Sequence, residues 1–342
     1  MKRIGEFELI DLFTRGMARR GEGVVLGIGD DAAVLQPPPG RRLLATVDGV
    51  VEGVHFDRRA RPEDVGWKAL AVSLSDLAAM GARPLWVLAA LAVPPRATPA
   101  RLARVGSGLA ACARRYRVSV VGGNVTRARQ LSLTVTALGE AAPERVLTRS
   151  GARPGDAILV SGTLGDAAMG LVPGAAPALR RRQLRPVPRL ALGRALAGIA
   201  SACIDVSDGL LQDLGHLCRL SGVGASIRLA ELPLSPAYRA ATRGRRDPWE
   251  PALAGGEDYE LAAAVPPGRV VEALRAARRA RTPLSVVGTV IAGRGVRVAR
   301  CSGGRYRIRH AGHDHLLGAR GADIALGLPL TGSKVDVGSI LP

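Results

Sequence analysis

The chain has 342 residues, 47% hydrophobic but only 3% aromatic, with a formal net charge of +19. That length suits two domains or one large one, with a core built from Leu, Val, Ile and Ala. No apolar run approaches the ~20 residues that span a bilayer, and the N-terminal MKRIGEFELIDLF carries acids where a signal peptide would be apolar. Membrane and secreted classes are therefore set aside and a cytoplasmic protein is expected. Cys112, Cys203, Cys218 and Cys301 are scattered without CxxC spacing, which suits reduced thiols rather than a zinc or disulfide framework. The positive charge is nearly all Arg, with Lys only at Lys2, Lys68 and Lys334. It is dispersed and not interleaved with aromatics that would stack bases. A solvated basic surface is expected, with no nucleic-acid partner.

In chain order, residues 4–20 read as an amphipathic helix, with Ile4, Phe7, Ile10 and Phe13 on one face. VVLGIGDDAAVL (24–35) places Asp30 and Asp31 in a glycine-bearing turn, and Pro37-Pro38-Pro39-Gly40 predicts a hairpin turn. RLLATV (42–47) is a strand that delivers Asp48. Pro62 opens a helix at its first turn, running through Trp67 and Leu74 to Asp76 and closed by Gly81. PLWVLAALAV (84–93) reads as a buried strand and 98–115 as a helix. Residues 118–121 read as a strand feeding Gly122-Gly123-Asn124, and QLSLTVTALG (130–139) alternates as another strand. The polar stretch 148–156 marks a domain boundary. Beyond it the pattern predicts strands at 157–160, 225–229, 285–290 and 296–299. Helices are expected at 188–200, into 217 after CIDVSDGLL, and at 269–281. LAGGEDYELAAAV (253–265) is a glycine turn followed by a strand, and the Pro- and Arg-rich segments 173–188 and 231–251 are expected to be irregular.

Acidic residues recur at glycine-rich strand ends: Asp30/Asp31, Asp48, Asp76 and Asp205/Asp208. Taken singly, each has a plain reading. The first pair reads as a solvated turn, Asp76 as a helix decoration, Asp205-Val206-Ser207-Asp208-Gly209 as an N-cap, and Gly255-Gly256-Glu257-Asp258 as a turn. Taken together, carboxylates converging at strand ends repel unless cations bridge them. Bridging Mg²⁺ ions suit phosphoryl transfer. Gly122-Gly123 and Gly162-Thr163-Leu164-Gly165 would let backbone N–H groups approach phosphate oxygens. A P-loop and a protein kinase are excluded, because GxxxxGK[ST], HRD and DFG are all missing.

GIGDDAAV, VDGVVEGVHF, KALAVSLSDLAAMGA, VVGGN, LTRSGARPGD, VSGTLGD, IDVSDGL and GGEDYEL occur in an order and spacing that closely resemble the thiamine-monophosphate kinase family. That family shares a superfamily with aminoimidazole ribonucleotide synthetase and selenophosphate synthetase. The resemblance runs from about Glu6 to His315. It implies an α/β (α+β) fold of two-domain aminoimidazole-ribonucleotide-synthetase-like architecture. Residues 1–148 would form an N-terminal ATP/Mg-binding and dimerisation domain whose strands contribute to a homodimer β-barrel. Residues 149–315 would form a C-terminal α/β domain, and 316–342 a tail without family counterpart. The implied reaction is direct in-line transfer of the ATP γ-phosphoryl to thiamine monophosphate with several Mg²⁺ ions. Asp31, Thr46, Asp48, Asp76, Asn124, Asp205 and Asp208 fall on its metal-ligand positions. Tyr116, Gly122, Gly123, Asn124, Arg149 and Ser207 fall on ATP positions, and His55, Glu257 and His313 on the thiamine-phosphate side. No covalent or general-base residue is expected, and Asp30 would only shape its turn.

Two site positions depart from the family pattern. Asn124 stands where many members carry Asp, so it would ligate without adding charge. His313 and Leu316 replace the aromatic residues of the C-terminal signature, which leaves less stacking surface for the substrate. Two alternatives stay open: another ATP-dependent enzyme of the superfamily, or a catalytically weak nucleotide-binding paralogue. A selenium-activating enzyme would carry an N-terminal Cys/Sec–Lys motif, which this sequence lacks.

Overall fold

The computed structural model describes residues 6–17, 21–28, 32–300, 306 and 312. Asp30, Asp31, His313 and the tail 316–342 lie outside the described residues. In chain order the first elements are α1 (Glu6–Thr14), the short pair β1 (Val24–Leu26) and β2 (Val34–Leu35), β3 (Arg42–Val51), α2 (Pro62–Ala79), β4 (Arg83–Val93), α3 (Pro99–Tyr116), β5 (Ser119–Arg127) and β6 (Ser132–Ala141). β3 to β6 form a four-stranded sheet in the order β3-β6-β4-β5, antiparallel except for the β4/β5 pair.

α2 is the element that joins the molecule. Pro62 sits in its first turn, where a missing N–H costs nothing, and Glu63 and Asp64 face the positive end of the helix dipole. Thirteen of its residues are buried, including Lys68, Ser73 and Ser75. A helix apolar nearly all round must be covered on every side. α2 is covered by α3 and by sheet strands β3 and β6 on one side, and by elements of the second half of the chain on the other. Glycines set how closely the helices approach. A Cβ on Gly66 would lie 1.9 Å from the Val105 carbonyl oxygen, and one on Gly108 would lie 1.9 Å from that of Glu63. α3 begins at Thr98, whose hydroxyl accepts from the Arg101 N–H (3.2 Å), and ends at Arg117 in the left-handed region.

The second half contains β7 (Ala157–Ser161), α4 (Asp166–Leu171), α5 (Pro177–Leu184), α6 (Leu190–Leu196), β8 (Ala202–Val206), α7 (Leu210–Ser221), β9 (Gly224–Arg228), α8 (Pro236–Ala241), α9 (Glu250–Ala254), β10 (Glu260–Val265), α10 (Val270–Arg279), β11 (Leu284–Ile291) and β12 (Gly295–Ala299). Its six-stranded sheet runs β12-β9-β11-β7-β10-β8 and is antiparallel except at β12/β9. One core surrounds α2 and takes in Leu159, Cys203, Leu261 and Ala263 from the six-stranded sheet. A second lies on the other face of that sheet, around Ile158, Val160, Ile204, Val206 and Leu214. Among the described residues no helix is long and apolar enough to cross a membrane.

Three expectations change. The strand expected to end before Gly122-Gly123-Asn124 runs through it, because those residues pair with Leu88, Ala89 and Ala90 of β4. The stretch 173–188 contains α5: Arg is a good helix former, and Leu179, Gln183 and Leu184 give the segment a buried face. The stretch 231–251 contains α8, capped by the Ser235 hydroxyl, which accepts from the Tyr238 N–H (3.0 Å), and the start of the short α9.

Candidate active site

Strand alternation places Thr46 and Asp48 on one face of β3. Asp76 reaches them from α2: the Thr46 hydroxyl donates to the Asp76 carboxylate. One residue earlier on α2, Ser75 donates to Asp205 at the end of β8 (2.8 Å). Three carboxylates from three elements thus share one electrostatic neighbourhood. Burial first, then the charge of Asp76, pushes Asp48 up to about 6. The same two causes in the same order push Asp205 well above the usual carboxylate range. One Asp48 oxygen, Oδ2, is buried without a hydrogen-bond partner. An orphaned buried acceptor is costly, and carboxylates crowded together favour a bound cation. The donors are all hard oxygens, and Mg²⁺ takes such ligands while keeping several waters. The residues therefore fit Mg²⁺, although among the described residues no three His, Cys, Asp or Glu side chains converge as a ready-made ion site.

The turn after β8 carries Ser207 and Asp208. It is held by Asp213, whose Oδ2 accepts from the N–H groups of Ser207, Asp208 and Gly209 (3.0, 3.0 and 3.1 Å). Burial, then the Asp208 charge, pushes Asp213 up to about 7. Gln212 donates to Asp208 (3.1 Å). Gly312 comes back to this turn: a Cβ there would meet Gln212, and the Asp208 carbonyl at 2.9 Å. His313, next in sequence, lies outside the described residues. The GGED turn is laid against the same loop. The Glu257 N–H donates to the Ser207 carbonyl (2.7 Å) and the Tyr259 N–H to that of Val206 (2.8 Å). Glu257 and Tyr259 both have positive φ, at 70° and 50°, a conformation that non-glycine residues hold only when their surroundings impose it.

Glu257 and His55 meet through two residues that sequence reasoning did not single out. Lys68, fully buried on α2, donates to Glu257 Oε1 (2.5 Å) and to the His55 carbonyl (2.8 Å). Gln183 on α5 donates to the same carbonyl (2.8 Å) and to Glu257 Oε2 (3.1 Å). The His55 ring accepts from the Val51 N–H through Nδ1 (3.1 Å). A lysine inside an otherwise apolar helix face was the available signal for Lys68. For Asp213, the signal was an acid four residues after the glycine that ends IDVSDG.

The other expected residues are more dispersed. Tyr116 ends α3 and packs edge-on against Trp67, with ring centroids 6.1 Å apart. Trp67 precedes Asp76 by nine residues on α2, a separation of about 13 Å along the axis. Arg149 is exposed, and its carbonyl accepts from Ser221 at the end of α7 (3.3 Å). Asn124 and Gly123 are exposed on β5. The glycine at 123 is required by strand packing, since a Cβ would lie 2.0 Å from the Ala89 carbonyl oxygen. The Gly162–Gly165 turn is not an open cradle for phosphate. The N–H groups of Gly162 and Leu164 donate to Pro283 and Pro233, and that of Gly165 to the buried Asp258 (2.7 Å). A cavity of about 440 Å³ adjoins the acidic cluster, lined by Thr46 and Asp76 together with Leu44, Leu77, Met80 and Val146.

The two units, each a sheet with helices, match the two domains of the AIR synthase related proteins. The N-terminal domain of that family matches residues 29–141 and its C-terminal domain residues 153–300. Thiamine-monophosphate kinase of Haemophilus influenzae is 38% identical over 296 residues, covering 84% of this chain and 89% of its own. The crystal structure of thiamine-monophosphate kinase from Stenotrophomonas maltophilia K279a is 42% identical with a TM-score of 0.78, covering 86% of this chain and 96% of its own. The structure of AaThiL complexed with AMPPCP and TMP is 34% identical with a TM-score of 0.72, covering 92% and 99%. The chain belongs to the thiamine-monophosphate kinase family.

Proposed function

We propose that this chain transfers the γ-phosphoryl group of ATP to thiamine monophosphate, giving thiamine diphosphate and ADP. The observation that carries the reading is the gathering of carboxylates from three elements, Asp76 of α2 tied to β3 through Thr46 and Asp205 of β8 tied to α2 through Ser75, with Asp48 beside Asp76, in a family whose member AaThiL was captured with AMPPCP and TMP. The acceptor is a phosphate oxygen, already ionised near neutral pH, so no strong general base is needed. A bond forms from that oxygen to the γ-phosphorus as the bridging bond to the β-phosphate breaks, and ADP leaves with the electron pair. The protein's part is positioning and charge neutralisation.

Asp31, Thr46, Asp48, Asp76, Asn124, Asp205 and Asp208 would hold Mg²⁺, which when bound supplies neutralisation of the triphosphate. The aliphatic cavity beside Thr46 and Asp76 offers an apolar seat of a size suited to the nucleotide base. Ser207 and Arg149 lie at the two ends of α7, where Arg149 is a planar multidentate donor available to phosphate. Tyr116, Gly122 and Gly123 complete the ATP side. His55, Glu257 and His313 would serve the acceptor side. The Glu257 charge is already matched by Lys68, so its role toward the substrate is to shape the turn rather than to neutralise a thiazolium.

A second copy of the chain is the expected partner. The outer face of the four-stranded sheet exposes Leu43, Val47 and Leu88, at 51%, 61% and 37%. Exposed apolar side chains on a sheet face are what a homodimer covers. The activity is tested by supplying ATP, Mg²⁺ and thiamine monophosphate and quantifying thiamine diphosphate. Absence of that product at saturating substrates overturns the reading.

A further inference from the structure

Lys68 stands apart from the other cations of this protein. The chain has three lysines among 48 basic residues, and the Lys68 side chain is completely buried. An ammonium taken out of water is expensive unless it is paired and hydrogen-bonded. Lys68 meets that cost with two acceptors from opposite halves of the chain: the His55 carbonyl at 2.8 Å, in the turn after β3, and Glu257 Oε1 at 2.5 Å, in the turn before β10. Gln183 repeats the pattern from α5, donating to the same carbonyl and to the other Glu257 oxygen. Two donors thus clamp two acceptors, and both acceptors lie on loops carrying residues of the candidate site.

The consequences run outward along short links. Glu257 donates its own N–H to the Ser207 carbonyl (2.7 Å), but the Ser207–Asp208 turn is held independently by Asp213, so loss of the Lys68–Glu257 bond falls on the Glu257 turn itself. The positive φ of Glu257 shows a backbone held by its surroundings rather than by intrinsic preference. On the other side, the His55 carbonyl is fixed by two donors, which leaves little freedom for the turn 52–56 that carries the imidazole. α5 adds an outer tie between the two halves through Arg180–Asp57 (2.6 Å) and Arg185–Asp64 (2.5 Å).

We infer that Lys68 is a positioning residue for phosphoryl transfer. It locks the His55 turn to the Glu257 turn and thereby sets the acceptor side of the site. The inference rests on the kinase reading above. Lysine suits the task because its ammonium is compact, whereas a guanidinium is larger and planar.

The test is a kinetic double-mutant cycle on the full-length enzyme with Lys68→Met, Glu257→Gln and the pair. Lys68→Met is expected to raise KM for thiamine monophosphate at least about tenfold while KM for ATP stays within about threefold. The pair is expected to lose no more than the worse single variant, because each change alone already breaks the Lys68–Glu257 ion pair. Equal rises for both substrates, multiplying losses in the pair, or an unchanged KM for thiamine monophosphate overturn the inference. A merely structural role would lower Tm without choosing between substrates. Should Lys68→Met fail to fold, Gln183→Met decides. It removes the parallel donor and leaves the ammonium in place, and a selective rise in KM for the acceptor supports the clamp, whereas none refutes it. A wild-type enzyme that makes no thiamine diphosphate overturns the kinase reading and the inference together. An active wild type with an unmoved Lys68→Met variant overturns the inference alone.

Discussion

Replacing Asp48 with Asn separates what the acidic cluster does for stability from what it does for activity. In the folded chain the Asp48 carboxyl is pushed from 3.8 up to about 6 by burial and then by the Asp76 charge. A raised folded-state value means that the native protein binds this proton more tightly than the unfolded chain does. The associated stability is fully present below pH 3.8 and is lost as pH rises through 6. At about 1.4 kcal/mol per pH unit, the penalty above pH 6 is up to about 3 kcal/mol. Asparagine keeps the shape, carries no charge, and supplies an N–H donor for Asp76. With divalent cations removed by a chelator, Asp48→Asn should therefore exceed wild type in Tm by a few degrees at pH 7.5, and by much less at pH 4.5. With ATP, Mg²⁺ and thiamine monophosphate, the same variant should lose at least about 100-fold in turnover. Differential scanning fluorimetry at the two pH values, paired with the activity assay, reads both effects. A variant less stable than wild type at pH 7.5 without metal, or a stability gap independent of pH, would refute the account of the cluster.

Gly66→Ala should be severely destabilising, by about 3 kcal/mol or more, because the new methyl lands 1.9 Å from the Val105 carbonyl oxygen and 2.7 Å from the Leu109 nitrogen; thermal melts and soluble yield check this. Asp258 is fully buried and pushed from 3.8 up to about 8, chiefly by burial. Its contribution is thus fully present below pH 3.8 and lost as pH rises through 8, so the Tm of Asp258→Asn relative to wild type should improve between about pH 4 and pH 8 and level off above that. Val47→Glu, on the exposed sheet face, should convert a dimer to monomers in size-exclusion chromatography with light scattering while leaving the far-ultraviolet circular dichroism unchanged.

Much of the fold was legible because periodicity carried it. α2, α3, β4 and β6 fall within a residue or two of where the alternation and the caps put them. α5 and α8 were not, because Arg and Pro read as surface loop. Their helical character depends on a buried face and on the Ser235-Pro236 start, signals only a few residues long. At the site, the recurrence of Asp at strand ends pointed to Asp48, Asp76 and Asp205, and the structure brings these into one neighbourhood. Glycine was ambiguous. Gly123 is there so that β4 and β5 can approach, and the Gly162–Gly165 turn spends the N–H groups of Gly162, Leu164 and Gly165 inside the protein. Spacing in sequence shows that a residue permits close approach but not what approaches it. Lys68 and Asp213 each left a local signal, but not its meaning. Their roles depend on a partner 189 residues away in one case and on a backbone turn in the other, and neither partner is written in the local pattern.

The central claim is that this chain moves the terminal phosphoryl group of ATP onto the phosphate of thiamine monophosphate. Phosphorus NMR of the enzyme with ATP, Mg²⁺ and thiamine monophosphate follows that group directly. The account predicts that the γ-phosphorus signal of ATP disappears as the β-phosphorus of thiamine diphosphate and the signals of ADP grow in equal amounts, and that Asp76→Ala stops the exchange with the fold intact. ATP consumed to inorganic phosphate without thiamine diphosphate, or an Asp76→Ala variant that keeps most of the wild-type rate, would contradict it.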